Sequence, residues 1–149
     1  MSTDRAEGSQ MKCDFDIEAS ICLVKGEKTL DLHNCYEFTK MEYRLEKRSV
    51  SLHWQRSSRP EISDSLPASV LLKFRDVSHF EFKPRNSDQP FSEDDCLSEF
   101  GIWHDEHGLM LCENGIMNQD EPLAIGFMSG ATIVLKASAA YVTFGTKTA

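Results

Sequence analysis

The sequence predicts an all-β fold, mainly antiparallel, in which a single domain forms a β-sandwich or an open barrel. Apolar and polar residues alternate with period two from Met11 onward, the pattern of strands that bury one face. Short polar turns separate these runs, so successive strands form hairpins. No helical pattern is long enough to connect two parallel strands. We therefore expect one domain over 11–145, a disordered tail over 1–10 and a second tail over 146–149.

The first strands are predicted between the N-terminal tail and residue 56. Apolar residues occupy every second position over 13–17, and a second apolar run covers 21–24. The segment 36–56 is the clearest hairpin of the chain. Its apolar residues change parity near 39–40, which predicts either a β-bulge or the start of a strand there. Trp54 is in phase with the apolar residues of the second strand and is predicted to lie in the core.

A serine- and proline-rich segment, 57–67, interrupts the alternation and predicts a surface loop. Beyond this loop the strand pattern returns, with turns between the runs, so that the whole chain has roughly eight to ten strands. The later strands are predicted over 70–75, 80–83, 102–104, 109–112, 123–127, 133–135 and 141–144.

One short helix is predicted near 92–100. Ser92 is a good N-cap residue, and the acids at 93–95 complement the positive end of a helix dipole. Gly101 fits a C-terminal stop.

The cysteines predict free thiols rather than a disulfide scaffold. They are odd in number and include no CxxC pair, and they lie beside apolar residues, so we expect mostly buried thiols. The first ten residues are polar and lack the apolar core of a signal peptide, and no apolar run approaches the roughly 20 residues of a membrane span. We therefore expect a cytoplasmic protein with no membrane association. The cysteines are Cys13, Cys22, Cys35, Cys96 and Cys112.

Charge divides the chain into two unequal halves. Residues 1–85 contain 14 acids and 14 bases, whereas residues 86–149 contain ten acids and only Lys136 and Lys147 as bases, which gives the whole formal charge of −8. All ten acids lie within 88–121. The negative electric field of this acidic segment favours a cationic partner. It disfavours direct binding of nucleic acid, whose phosphates need a basic surface.

We predict that this acidic segment presents a face to a basic protein. Large aromatic residues concentrate binding energy, and Trp103, Phe91 and Phe100 lie within the segment. The predicted partner-binding residues are Glu93, Asp94, Asp95, Glu99, Trp103, Asp105 and Glu106.

The run 104–107, with sequence HDEH, has the spacing of a metal-binding HxxH motif. A turn directs adjacent side chains apart, and the segment lacks the helical pattern of HExxH sites. We therefore predict no metal site, with His104, Asp105 and His107 as the candidates if one exists. Calcium is a second alternative, although no DxDxDG-like loop is present. Its candidate ligands are Asp94, Asp95, Asp105, Asp120 and Glu121.

The sequence favours a non-enzymatic function. It contains no GxSxG nucleophile motif and no GxxxxGK[ST] or GxGxxG phosphate loop, and we expect no cofactor. An enzyme would require an apolar pocket with buried titratable groups.

Two strand-rich stretches carry a resemblance to known proteins. VLLKFRDVSHFEFKP, over 70–84, and FMSGATIVLKA, over 127–137, resemble segments of small bacterial all-β domains. Some of those domains resemble immunity proteins of contact-dependent toxin systems. The resemblance implies a compact acidic domain that binds another protein, and it assigns no functional residues.

The leading hypothesis is therefore a protein-binding module, immunity-like in character, whose acidic face receives a basic partner through electrostatic steering. The first alternative is a β-sandwich that binds calcium or another metal. The second is a structural subunit that forms homo-oligomers by pairing its exposed strand edges.

Overall fold

A computed structural model of the chain describes residues 11–111 and 121–146, without the side chains of Met110 and Leu111. The tail predicted over 1–10 lies outside these residues, as does nearly all of the tail predicted over 146–149.

The described residues form thirteen strands and two short 3-10 turns, Leu45–Lys47 and Phe91–Glu93. The all-β prediction is confirmed, with more and shorter strands than the sequence indicated. Neither of these two turns is long or apolar enough to cross a membrane, and no other helical segment occurs in the described part of the chain. The strands are β1 (Lys12–Cys13), β2 (Asp16–Glu18), β3 (Cys22–Lys25), β4 (Lys28–Asp31), β5 (Tyr36–Arg44), β6 (Ser49–Arg56), β7 (Ser69–Arg75), β8 (His79–Lys83), β9 (Leu97–His104), β10 (Gly108–Leu111), β11 (Leu123–Phe127), β12 (Thr132–Lys136) and β13 (Ala139–Gly145).

The strands form three sheets. The first has the order β1-β13-β7-β6-β5, the second β10-β9-β11-β12-β8, and the third is the meander β2-β3-β4. Every pair is antiparallel except β1 with β13, where Lys12 pairs with Ala139 in parallel register. No sheet of the described residues closes into a barrel.

One hydrophobic core joins the three sheets. The Trp54 ring of β6 lies 6.5 Å from the Phe100 ring of β9 and 5.1 Å from Phe38 of β5. Phe38 in turn contacts Phe127 of β11 at 4.8 Å. Trp54 is 1% exposed, which confirms its predicted place in the core. Aromatic contacts between the two larger sheets therefore hold the sandwich together.

The β5–β6 hairpin follows the prediction closely. The register between the strands shifts between Phe38 and Lys40, and β5 runs unbroken through this point, so of the two alternatives near residues 39–40 the bulge is present and the strand start is not. The 3-10 turn ends at Arg48, whose φ of 49° lies in the left-handed region. A bulge reverses which face each later residue presents, and this is why the apolar parity changes along β5.

The helix predicted near 92–100 is wrong. Only Phe91–Glu93 is helical, as a single 3-10 turn without a side-chain cap, and Leu97–His104 is strand β9. The pairing with β11 skips Ser98, so Leu97 and Phe100 both face the core although they are three residues apart. Because of the bulge, two core residues of a strand have the three-residue spacing that is typical of a helix. The backbone N–H and C=O groups, which a helix would pair within itself, form hydrogen bonds with β11 instead.

Candidate functional site

The predicted partner-binding residues lie in two separate groups. Strand β9 holds eight residues in extended conformation, which span roughly 26 Å. Glu93, Asp94 and Asp95 precede this strand, and Asp105 and Glu106 follow it in the β9–β10 turn. The structure therefore does not bring all these acids onto one continuous face, and each group has its own surroundings.

Asp94 is engaged by a neighbouring cation. The Arg85 Nε donates to the Asp94 Oδ1 at 2.8 Å, and this hydrogen bond is the main cause that lowers the pKa of Asp94. The same guanidinium lies 4.6 Å from the centre of the Phe91 ring. Arg85 thus neutralises Asp94, whereas Phe91 remains 80% exposed.

An open cleft of about 290 Å³ lies beside Asp95, at one end of the sandwich. Three segments meet there: the connection from β4 to β5, the residues after β6, and the residues before β9. The backbone N–H of Phe38 donates to the Asp95 carbonyl at 2.8 Å, and that of Ser57 donates to the Cys35 carbonyl at 2.9 Å. The lining residues are His33, Asn34, Tyr36, Glu37, Ser57, Arg59, Asp95 and Cys96.

Hydrogen bonds fix the shape of this cleft. The Asp31 carboxylate accepts from the backbone N–H groups of His33 and Asn34, at 3.0 and 2.8 Å, which closes the turn before β5. The Nδ1 of His33 donates to the Leu97 carbonyl. The Tyr36 hydroxyl donates to the Pro67 carbonyl at 2.7 Å, and burial raises the pKa of Tyr36 to about 12. The cleft is therefore held by two contacts between distant segments, from His33 to Leu97 and from Tyr36 to Pro67, and by the local turn at Asp31.

Two carboxylates line the cleft and two more adjoin its lining residues, and we call these four the acidic end: Glu37, Asp95, Asp31 and Glu93. Glu37 and Asp95 line the cleft, and Asp31, Glu93 and Asp95 all act electrostatically on the Cys96 thiol. None of the four forms an ion pair within residues 11–111 and 121–146.

Arg59 is the one lysine or arginine that lines the cleft among the described residues, and its guanidinium already has hydrogen-bond and ion-pair partners. It donates to the Asn34 carbonyl and to the Ser57 Oγ, and it lies 3.6 Å from the Glu61 carboxylate. The acidic end therefore keeps a net negative charge. Asp31 and Glu37 belong to the electrically neutral half of the sequence. The charge counted along the sequence therefore did not predict that they belong to the site.

The thiols near the cleft are not activated nucleophiles. The Cys96 Sγ lies 3.6 Å from the His33 Nδ1, but that nitrogen already donates to a carbonyl and is not a free base. Burial raises the pKa of Cys96, and the carboxylates of Glu93 and Asp95 raise it further. Nucleophilic cysteine chemistry requires the thiolate, so this pair does not support catalysis.

The predicted free thiols are confirmed for four of the five cysteines, and Cys112 lies outside the described residues. They are half-buried rather than fully buried. Burial is the largest cause that raises the pKa of Cys13, to about 12, and its neighbours Asp14 and Asp16 add to it.

The three predicted aromatic contacts have different surroundings. Phe100 is fully buried and cannot contact a partner, so this part of the prediction is wrong. Trp103 is half-buried, with the Lys83 Nζ 4.6 Å from the centre of its ring. Phe91 is the exposed aromatic of the three and lies two residues from Glu93.

The β9–β10 turn brings together a second set of polar side chains. The ring centres of His104 and His107 lie 4.8 Å apart at an interplanar angle of 28°. The ligand atoms of these histidines and of Glu106 all lie within 4.8 Å of one another, and Asp105 does not join them. The two histidines of the motif therefore converge rather than splay. The predicted calcium ligands do not form such a group among the described residues, and Asp120 lies outside them.

Glu99 is half-buried on the outer face of the second sheet. It pairs with Gly126, and a Cβ at that glycine would lie 3.0 Å from the Leu109 side chain and 3.7 Å from the Glu99 carboxyl carbon. Burial raises the pKa of Glu99, and the nearby His33 offsets part of this effect.

We expect the substitution Glu99→Gln to raise the melting temperature at pH 7 and to leave it unchanged near pH 3. A carboxyl group whose pKa is higher in the folded state destabilises the fold as pH rises above the unfolded pKa, because the unfolded state then loses its proton first. Below that pKa both states are protonated and the cost vanishes. Thermal unfolding at the two pH values measures the effect, with Glu42→Gln on the exposed edge of β5 as the control. A Glu99→Gln variant less stable than the wild type at pH 7 would contradict this account.

Comparisons with protein-family models, with curated proteins and with solved structures found no match for this chain.

Proposed function

We propose that the protein binds a basic partner protein through its acidic end. The observation that carries the proposal is the convergence of Asp31, Glu37, Glu93 and Asp95 around one open cleft, without ion-pair partners in the described residues. A concave surface with a net negative charge focuses the field and raises the association rate of a cationic molecule. A lysine or arginine side chain of the partner would enter the cleft.

Phe91 supplies the apolar contact that charge alone does not provide. Its ring is 80% exposed and lies on the turn that also carries Glu93 and Asp95. An exposed aromatic that becomes desolvated in a complex is typical of the residues that dominate binding energy. Electrostatic steering would bring the two proteins together, and burial of Phe91 would then cover part of the partner's basic surface.

The alternative of strand-edge pairing between copies has weaker support. Strand β5 is an edge strand, and Glu37, Lys40, Glu42 and Arg44 all lie exposed along it. Charged side chains on an edge oppose pairing with another strand. The free thiols of the described residues suit a reducing compartment, which supports our proposal of a cytoplasmic protein.

The experiment is an affinity capture from a lysate of the source cells with three baits. The first is the wild-type chain, and the second carries Glu93→Gln and Asp95→Asn. The third carries Glu42→Gln and Glu46→Gln, which remove the same charge from the far end of β5 and the turn after it. The partner's association rate with each bait is then measured at low and high salt. We expect the second bait to associate roughly tenfold more slowly than the wild type at low salt, and the third to behave as the wild type.

High salt should bring the rates of the three baits together, because surface charges are screened beyond roughly 10 Å at 0.1 M ionic strength. A partner that binds the second bait as fast as the wild type would contradict the proposal. So would a partner whose association rate does not depend on salt.

A further inference from the structure

We infer that the tip of the β9–β10 hairpin binds a divalent transition-metal ion of the zinc class, with His104, Glu106 and His107 as ligands. This site is distinct from the acidic end, because the length of β9 separates the two.

The turn itself creates the site. The backbone N–H of His107 donates to the His104 carbonyl at 3.1 Å, which closes four residues into a tight turn. The first and last residues of such a turn approach each other, and their side chains then lie on the same side. Gly108 follows with a φ of 75°, a left-handed conformation that lets the chain enter β10 directly behind His107.

The three ligand atoms are close to the arrangement that a metal requires. They lie within 4.8 Å of one another, and the His107 Nε2 already lies 4.0 Å from the Glu106 Oε2. Metal–nitrogen bonds of about 2.0–2.1 Å require the ligand atoms to come somewhat closer. Glu106 and His107 are exposed, so rotation of their side chains is sufficient and the hairpin backbone need not move.

His104 offers a further indication of a ligand. Its Nδ1 is buried and has no hydrogen-bond partner. A buried polar atom without a hydrogen-bond partner requires an explanation, and a bound ion is one such explanation. An imidazole nitrogen without a hydrogen-bond partner is also available to a metal ion or to a group that orients a metal-bound ring.

The ligand set selects the class of ion. Two imidazoles and one carboxylate match the zinc sites that keep a fourth position for water, and imidazole also suits copper and nickel. Calcium and magnesium prefer sites built from oxygen alone, which these residues do not supply. We therefore expect Zn²⁺ to bind and Ca²⁺ not to compete with it.

The test is a Zn²⁺ titration of the full chain, free of any histidine tag, in competition with a chromophoric chelator. We expect one ion per chain, and an affinity at least about tenfold lower in each of the variants His107→Ala and Glu106→Gln. The control is His79→Ala, which removes an exposed histidine that pairs with Glu81 on the edge strand β8, and it should bind as the wild type. Amide resonances that shift on addition of Zn²⁺ should be those of residues 104–108.

Two results would overturn the inference: no binding of Zn²⁺ by the wild type, or equal binding by the wild type and both hairpin variants. His107 and Glu106 are exposed, so their substitution leaves the core intact and a loss of binding reports the ligand itself.

Discussion

The substitution Trp54→Ala is expected to lower the free energy of unfolding by about 3–5 kcal/mol, the range found when a large aromatic is removed from a core. Trp54 is 1% exposed and contacts Phe38 on its own sheet and Phe100 on the opposite sheet. Its removal would leave a cavity where the two larger sheets meet. Urea denaturation monitored by circular dichroism measures the change in the free energy of unfolding.

The matched control is Trp103→Ala, because Trp103 is half-buried on the outer face of the second sheet and contacts Lys83 there. A cation–π contact at such a site contributes about 0.5–1 kcal/mol, so this variant should lose much less stability than the first. Equal losses in the two variants would contradict the sandwich core described here.

The second large effect is expected for Leu23→Ala in the meander, at about 2–5 kcal/mol. Leu23 is fully buried and pairs with Leu30, and both belong to the common core of the three sheets. The meander has no core of its own, so we expect a single unfolding transition that includes it.

The control for this prediction is Lys28→Ala, on the exposed end of the same hairpin, which should change stability by less than about 0.5 kcal/mol. An early, separate transition in the Leu23→Ala variant, with the sandwich still folded, would contradict the shared core. Because Asp31 is the last residue of the meander and His33 lies two residues beyond it, the same variant should also disturb the cleft.

Most strands could be predicted from the sequence because a strand that buries one face alternates apolar and polar residues with period two. The β5–β6 hairpin and the core position of Trp54 followed from the alternation alone, which also located the irregularity near residues 39–40 without deciding between a bulge and a strand start. The parallel pairing of β1 with β13 could not be predicted from local alternation, because the paired residues Lys12 and Ala139 are 127 residues apart.

The helix prediction over 92–100 fails because the local signals of this segment all indicate a helix. Ser92, the acids after it and Gly101 satisfy the rules for helix ends, and Leu97 and Phe100 have helical spacing. Strand pairing with β11 overrides these local preferences, and it depends on residues far along the chain. The bulge in β9 misleads period-based reasoning because it coincides with residues that resemble the two ends of a helix.

The candidate site could be predicted only in part. The acids at 93–95 are identified by charge, but Arg85 engages Asp94, and the acids of the β9–β10 turn lie at the other end of the strand. Asp31 and Glu37 join the site through the turn before β5 and through the hydrogen bond from Phe38 to Asp95. These contacts depend on tertiary structure, and charge counted along the sequence does not contain them.

The most direct test of the central claim is to map where a basic ligand binds. We would titrate the isotope-labelled chain with an octa-arginine peptide at low salt and follow the backbone amide resonances. Binding at the acidic end predicts shifts concentrated at residues 31–37 and 91–96, which disappear in the variant with Glu93→Gln and Asp95→Asn. Shifts of equal size around Glu42 and Glu46, or a pattern that this variant leaves unchanged, would show that the acidic end has no special affinity for a cationic partner.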